Sequence, residues 1–130
     1  MELVVDHDIS LEQCWAWLRE TCVGRLALSV SALPTIVPVQ YGVSDRGLVL
    51  CLGPHRLDPR AVDGAVVAFT ADAIDPVRLT GWSVLVRGTA RLDPEIDVDP
   101  ACRPSPAGPL VELAATVIEG QRLKMCPFSV

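Results

Sequence analysis

The stretch that decides the fold is TGWSVLVRGTARL, residues 80–92. Its residues alternate between two classes, which is typical of a β-strand whose side chains point to opposite faces. One face carries an apolar set with a single glycine: Trp82, Val84, Val86, Gly88, Ala90 and Leu92. The other face mixes hydroxyl, aliphatic and guanidinium groups: Ser83, Leu85, Arg87, Thr89 and Arg91. The first face predicts a core, whereas the second is too apolar for a solvated face and too charged for a core.

Four segments upstream of this strand also have the composition of β-strands and are separated by turn residues. They are GRLALSV (24–30), TIVPVQYGV (35–43), LVLCL (48–52) and AVVAFTA (65–71). Pro38 has no backbone N–H, so its place inside the second segment predicts a sheet edge or a bulge at that point.

An amphipathic helix is predicted before these strands, over about residues 10–21. Ser10 and Gln13 form a capping box that marks its start. The apolar residues that follow recur at helical spacing, and they are Leu11, Cys14, Trp15, Leu18 and Cys22. Trp17 lies off this stripe, so we expect it to be partly buried at the edge of the helix or to contact a second surface such as a partner subunit.

A second, shorter helix of one to two turns is predicted near residue 60. Asp58 is a suitable N-cap, Pro59 fits the first helical position, and Gly64 fits the end. Residues 93–109 hold five prolines and four acidic residues, which predicts an irregular loop. The segments LVEL and IEGQRL beyond this loop can supply the last strand.

These elements predict one domain over residues 1–130, mainly β with minor α. About six short strands and a covering helix favour a small antiparallel barrel. Half of the 130 residues are hydrophobic, which is more than a small monomer needs and favours a subunit interface. The sequence therefore predicts a homodimer.

Charge and composition exclude several classes of partner. The net charge is −5 and the eleven basic residues are scattered, which excludes an ordinary nucleic-acid-binding surface. No apolar run approaches the roughly 20 residues of a membrane span. The first ten residues lack a secretory signal pattern, so we expect a cytoplasmic protein. The five cysteines include no paired spacing, and this predicts reduced thiols, no disulfide and no metal site.

Five pieces of sequence occur in a fixed order: VGRLALSV, PTIVPVQY, LCLGPHRL, VVAFTAD and GWSVLVRGTA. In this order they resemble the pyridoxamine 5'-phosphate oxidase-like family of FMN-binding split β-barrels, and within it the small actinobacterial members. The resemblance runs from about Leu11 to Leu92 and returns at LVEL to GQRL. It implies a six-stranded antiparallel split barrel with an N-terminal helix and one short helix. It also implies a homodimer with one FMN in each groove between subunits.

The resemblance further implies which residues hold the cofactor. The strand beside the flavin ring contains Val37, Pro38, Val39 and Gln40. Arg56, in GPHRL, stands where relatives carry a phosphate-binding lysine. Three residues of the opening strand complete the set implied for the groove: Trp82, Ser83 and Arg87. The alternative for Arg87 is a half-solvated strand face from which the guanidinium extends into water.

Two departures from the family pattern bear on cofactor binding. Asp58 follows Arg56 closely, and its carboxylate competes with a phosphate for the helix N–H groups. Ser105 stands where relatives often carry tryptophan.

The sequence thus favours an FMN-dependent oxidoreductase that acts on a small organic molecule. One alternative is a deazaflavin-dependent reductase. The other is a barrel dimer that binds flavin, haem or another small ligand without catalysis, or that has lost its cofactor.

Overall fold

The computed structural model describes residues 1–52, 57–92 and 109–127, which form seven strands and two helices. Arg56, Cys102, Ser105 and the loop predicted over 93–109, apart from its last residue, lie outside these ranges. The strands are β1 (Glu2–Asp6), β2 (Val23–Val30), β3 (Leu33–Ser44), β4 (Gly47–Cys51), β5 (Val66–Asp75), β6 (Thr80–Leu92) and β7 (Leu110–Cys126), and the helices are α1 (Leu11–Leu18) and α2 (Pro59–Val62).

Six of the described strands form a closed antiparallel ring. Neighbours pair in the order β7, β4, β3, β2, β5 and β6, and β6 then pairs with β7 to close the ring. Closure depends on the length of β7, because its first residues bond both β4 and β6 while its later residues continue along β6. This arrangement confirms the predicted six-stranded barrel of the mainly β class.

Strand β1 is an addition that the sequence analysis did not predict. Residues Glu2–Asp6 pair with Arg122–Cys126 at the end of β7. The segment is short and its side chains are mostly exposed, with Leu3 at 54%. It therefore lacks the alternation of buried and exposed residues on which a strand prediction depends.

The core fills the interior of the ring. Its largest fully buried side chains include Leu26, Tyr41, Phe69, Val84 and Leu113. Phe69 meets Tyr41 edge to face with ring centroids 4.9 Å apart. Every second residue of β6 from Trp82 to Ala90 is buried, as the opening stretch predicts, whereas Leu92 is 38% exposed.

Helix α1 covers one end of the core. Ser10 is its N-cap and accepts a hydrogen bond from the Gln13 N–H at 3.1 Å, which confirms the predicted start. The helix ends at Leu18 rather than near residue 21. Its buried residues are Cys14, Trp17 and Leu18.

The predicted apolar stripe of α1 was therefore partly wrong. Leu11 is 60% exposed and Cys22 is also exposed, whereas Trp17 is only 6% exposed. Trp17 is buried because α1 lies across the end of β6, where its indole stacks on Trp82 with centroids 5.6 Å apart and planes 4° apart. Helical spacing alone did not show which side of the stripe would meet the sheet.

The short helix α2 has the predicted ends. The Asp58 carboxylate accepts a hydrogen bond from the Arg60 N–H at 2.9 Å, and Pro59 is the first helical residue. Gly64 follows the C-cap with φ +79°, a conformation that glycine adopts without strain. Pro38 lies in the part of β3 that pairs with β2 only, so it occupies a local edge, as predicted.

No helix within the described ranges has the length and apolar character that a bilayer crossing requires.

Candidate functional site

The outer face of the ring carries the candidate site, and strand register determines which residues meet on it. Residues directly opposite each other on antiparallel strands project from the same face. One row runs across five strands through Pro38, Arg25, Thr70, Leu85 and Glu119. It combines an apolar ring, an aliphatic chain, a hydroxyl and two charged groups.

A second row lies beside the first and includes two alanines. It runs through Ile36, Ala27, Ala68, Arg87 and Val117. The two alanines leave a shallow floor between Ile36, which is 68% exposed, and the long side chain of Arg87. A flat, partly apolar floor of this kind suits a planar ligand or the surface of a second subunit.

Two ion pairs cross this face. The Nη1 atom of Arg25 lies 3.7 Å from Oδ2 of Asp72, and Nη2 of Arg87 donates to Oε1 of Glu119 at 3.0 Å. All four side chains are at least 40% exposed, so water screens both pairs strongly. The two guanidinium groups are therefore able to turn toward an anion at little cost.

Four of the predicted site residues lie on this outer face. Pro38 and Gln40 project from β3, and Ser83 and Arg87 project from β6. Ser83 pairs with Asp72 of β5 and with Gln121 of β7, next to the row that contains Leu85. The structure thus brings residues from the two predicted segments onto one surface, across the intervening strands β2 and β5.

The side chains of Val37, Val39 and Trp82 point to the opposite, inner face. Val39 is 2% exposed and Trp82 is 7% exposed, and Val37 packs against the same core. Trp82 is stacked on Trp17 under α1. Any contact of these three residues with a ligand on the outer face is therefore restricted to their backbone groups.

Arg56 lies outside the described residues, so its predicted role in phosphate binding stays a prediction. The neighbouring Asp58 is described, and its carboxylate caps α2. It accepts the Arg60 N–H, so this donor at the start of α2 is already occupied.

Arg25, Thr70 and Leu85 share the outer face with the predicted residues, although they are not among the residues predicted from the sequence. Arg25 lies between Pro38 and Thr70 in the register. In the sequence, the alternation within GRLALSV shows only that Arg25 and Leu26 lie on opposite faces of a strand. It does not show which residues of other strands lie beside Arg25, because register between strands is not visible in one segment.

Cys14 is an unsuitable nucleophile. Burial raises the pKa of its thiol, and a bond to the backbone lowers it less, so the thiol stays protonated at neutral pH. Across the described ranges, no three His, Cys, Asp or Glu side chains gather closely enough to hold a metal ion.

Comparison with known proteins agrees with this architecture. The family model for pyridoxamine 5'-phosphate oxidase matches residues 10–103. The chain belongs to this family. The match confirms the resemblance that the ordered motifs predict.

Individual relatives show how far the likeness extends. An uncharacterized protein of Mycobacterium tuberculosis, Rv0080, is 42% identical over 82 residues, which span 55% of this chain and 52% of that protein. The match thus covers about half of that relative. A FAD-binding protein from Mycobacterium smegmatis has a solved structure with 26% identity and a TM-score of 0.69, over 93% of this chain and 98% of that one. A FAD-binding protein from Mesorhizobium loti is 19% identical and shares the fold. Its TM-score is 0.72, and the match covers 95% of this chain and 100% of that one.

Proposed function

We propose that this protein is a flavin-dependent oxidoreductase that binds FMN on the outer face of β2, β3, β5 and β6, between two copies of the chain. The observation that carries the proposal is the pair of registered rows, which gather apolar, hydroxyl and guanidinium groups on one exposed surface. Family membership supports a flavin, and so does the likeness to the FAD-binding protein of Mycobacterium smegmatis.

The residues of this face suit the three parts of a flavin nucleotide. The floor formed by Ala27 and Ala68 leaves room for a planar ring beside Pro38. The hydroxyl groups of Thr70 and Ser83 suit the polyol chain of the cofactor. Arg56 is the proposed phosphate partner, since guanidinium groups bind phosphate through charge-assisted hydrogen bonds.

When bound, the flavin supplies hydride or single-electron transfer to a small organic molecule. The chain's own residues then bind and orient the cofactor and exclude water from one side of it.

The second subunit is part of the proposal. Several large apolar side chains of the outer face are exposed in the single chain, among them Val23 at 54%, Ile36 at 68% and Val66 at 79%. Covering them requires a partner surface, and a permanent dimer buries more than about 2,000 Å² in total. We expect sedimentation at micromolar concentration to give a dimer, and Ile36→Asp to give a monomer. A folded, stable wild-type monomer would contradict the proposal.

One titration series tests the cofactor. Flavin-free protein is titrated with FMN, FAD, riboflavin, a deazaflavin and haem, and binding is followed by flavin fluorescence or haem absorption. We expect FMN to bind most tightly. Ser83→Ala and Arg87→Gln should weaken FMN roughly three- to tenfold, whereas Arg78→Gln, in the turn before β6, should change nothing. Absence of binding by every flavin would overturn the proposal.

The phosphate contact has its own test. Arg56→Ala should weaken FMN by roughly ten- to a hundredfold, and Arg56→Lys should recover part of the loss. Riboflavin has no phosphate, so its affinity should stay the same. Asp58→Asn should tighten FMN, because it removes a like charge beside the phosphate and keeps a helix cap. Equal affinities for FMN in wild type and Arg56→Ala would show that Arg56 is a solvated residue.

A non-catalytic barrel dimer is the second candidate. The Asp58 carboxylate, which already caps α2, favours it because it reduces the attraction of that turn for a phosphate. A colourless purified protein that ignores added flavins would support this candidate. A deazaflavin-dependent reductase ranks third, because its acidic cofactor tail needs more basic residues than a chain of net charge −5 provides.

A further inference from the structure

A concave surface lies where the start of β6 pairs with the end of β7. Its volume is about 340 Å³, within the usual range for small-molecule sites. It is lined by Thr80, Gly81, Trp82, Arg122, Leu123 and Lys124. We call it the β6–β7 cleft.

The charged groups of the cleft do not belong to the proposed flavin surface. Arg122 pairs with Trp82 and Lys124 pairs with Thr80 across the two strands, so all four project from one face. Trp82 packs inward, whereas its neighbour Ser83 projects outward. The cations of the cleft and the residues proposed to hold the flavin are therefore on opposite faces of β6 and β7.

Arg122 and Lys124 form a cationic pair, and neither group makes a direct ion pair within the described part of the chain. There, no carboxylate lies within 4.0 Å of either group, whereas Arg25, Arg78 and Arg87 each have one. Lys124 is also the only lysine in a chain of net charge −5. Two like charges on one face favour the binding of an anion between them.

Two acidic residues of β1, Asp6 and Glu2, share this face in the register, and neither forms an ion pair with Arg122 or Lys124 among the described residues. Asp6 of β1 lies opposite Arg122. Its Oδ1 atom accepts a hydrogen bond from the Asp8 N–H at 2.9 Å. That bond engages one carboxylate oxygen, and because Asp6 makes no direct ion pair with Arg122, the guanidinium can still bind a ligand.

The arginine is also held in place before any ligand arrives. Its guanidinium carbon lies 5.2 Å from the centroid of the Trp17 ring, a cation–π contact. Trp17 is itself stacked on Trp82. A preorganised donor loses less side-chain entropy on binding than a free one, so the aromatic pair raises the affinity of the cleft for an anion.

We propose that the β6–β7 cleft binds a small organic anion, with its carboxylate or phosphate between Arg122 and Lys124. The Thr80 hydroxyl is a further donor at the rim, and the edge of Trp82 is an apolar contact for the rest of the molecule. The proposal is independent of flavin binding on the outer face.

The test uses three probes: sodium benzoate, inorganic phosphate and benzyl alcohol. Binding is followed through the indole N–H resonances of Trp17 and Trp82 and the Gly81 amide in NMR spectra at constant ionic strength. We expect saturable shifts with benzoate or phosphate at millimolar concentration, and at least roughly tenfold weaker binding of the neutral alcohol. Tighter binding of benzoate identifies an aromatic carboxylate as the ligand class, and tighter binding of phosphate identifies a phosphate ester. Equal binding of alcohol and benzoate would overturn the proposal.

Variants assign the binding to the two cations. Arg122→Gln and Lys124→Gln should each weaken the anion roughly three- to tenfold, and Arg78→Gln is the matched control that should not. Lys124 is exposed, so its variant keeps the test valid even if loss of Arg122 disturbs Trp17. The proposal fails if all four proteins bind alike. It also fails if saturation with FMN displaces benzoate, because the anion would then occupy the flavin surface.

Discussion

The two faces of the same strands have opposite properties at positions one residue apart. On the inner face, Leu26, Phe69 and Val84 are fully buried, each at 0% exposure. Their chain neighbours Arg25 and Thr70 lie on the outer face beside Pro38. The backbone hydrogen bonds of β2 and β5 serve both faces equally. The contrast therefore comes from the side chains, which are buried on the inner face and half-buried or exposed on the outer face.

This contrast separates stability from function within one sheet. Burial of an apolar side chain contributes about 1.5–3 kcal/mol to folding, so the inner face accounts for most of the stability of the ring. The outer residues gain little from folding of the single chain, since water still reaches them. Their side chains can therefore be selected for binding a ligand or a partner with little effect on stability. Substitutions on the two faces should therefore affect different measurements.

The largest loss of stability is expected for Phe69→Ala. The ring is fully buried and packs edge to face on Tyr41, so its removal leaves a cavity between β3 and β5. The free energy of unfolding should fall by about 3–5 kcal/mol, measured by urea denaturation at a fixed protein concentration. Val77→Ala, at a site that is 88% exposed, should change it by less than about 0.5 kcal/mol. If Phe69→Ala lowered the free energy of unfolding no more than Val77→Ala does, the inner face would not be a close-packed core.

Gly24→Ala should also lower the free energy of unfolding, because the added methyl group would be forced against the Phe69 ring. A Cβ at this position would overlap the Phe69 ring and lie 2.8 Å from the Thr70 carbonyl oxygen. Overpacking of this kind costs about 1–3 kcal/mol. In the double variant Gly24→Ala with Phe69→Leu, the smaller side chain relieves the overlap, so the two losses should be less than additive. Full additivity in denaturation experiments would contradict this account of Gly24.

Tyr41→Phe tests the polar connection between the core and α1. The Tyr41 hydroxyl donates to the Leu18 carbonyl at 2.6 Å and contacts the Thr21 hydroxyl at 2.5 Å. Its removal leaves a carbonyl at the end of α1 without this donor, which should cost about 1–2 kcal/mol. Thr21→Ser keeps a hydroxyl and serves as the control. An unchanged free energy of unfolding in Tyr41→Phe would show that water replaces the lost bond freely.

The sequence was sufficient to predict the elements whose signals are local. The alternation in residues 80–92 identified β6 and its buried face, and the caps at Ser10 and Asp58 located both helices. The order of the motifs added the family and the ring of six strands. Strand β1 was missed, because its residues become a strand only through pairing with the end of β7.

The candidate site was less predictable, because it depends on register between distant strands. Pro38 and Ser83 were selected from the resemblance, and both project outward. Trp82 was selected with them, yet it points inward, since α1 provides Trp17 as its stacking partner. Arg25 was missed for the same reason: its position beside Pro38 follows from pairing of β2 with β3, which no single segment reveals.

The smallest change in stability is expected for Arg25→Gln, and this variant gives the sharpest test of the contrast between the faces. The pair with Asp72 has a 3.7 Å separation and side chains 57% and 40% exposed, so its loss should cost less than about 1 kcal/mol. Arg78→Gln removes a similar pair, with Asp75 at 3.9 Å, from the turn before β6 and is the matched control. Both variants should unfold at nearly the same urea concentration as the wild type.

Of these two variants, only Arg25→Gln should weaken the binding of FMN, by roughly three- to tenfold, because Arg25 lies between Pro38 and Thr70 on the proposed flavin surface. If Arg25→Gln instead lowers stability as much as Tyr41→Phe and leaves FMN affinity unchanged, the outer face is a structural surface and the separation of roles is wrong.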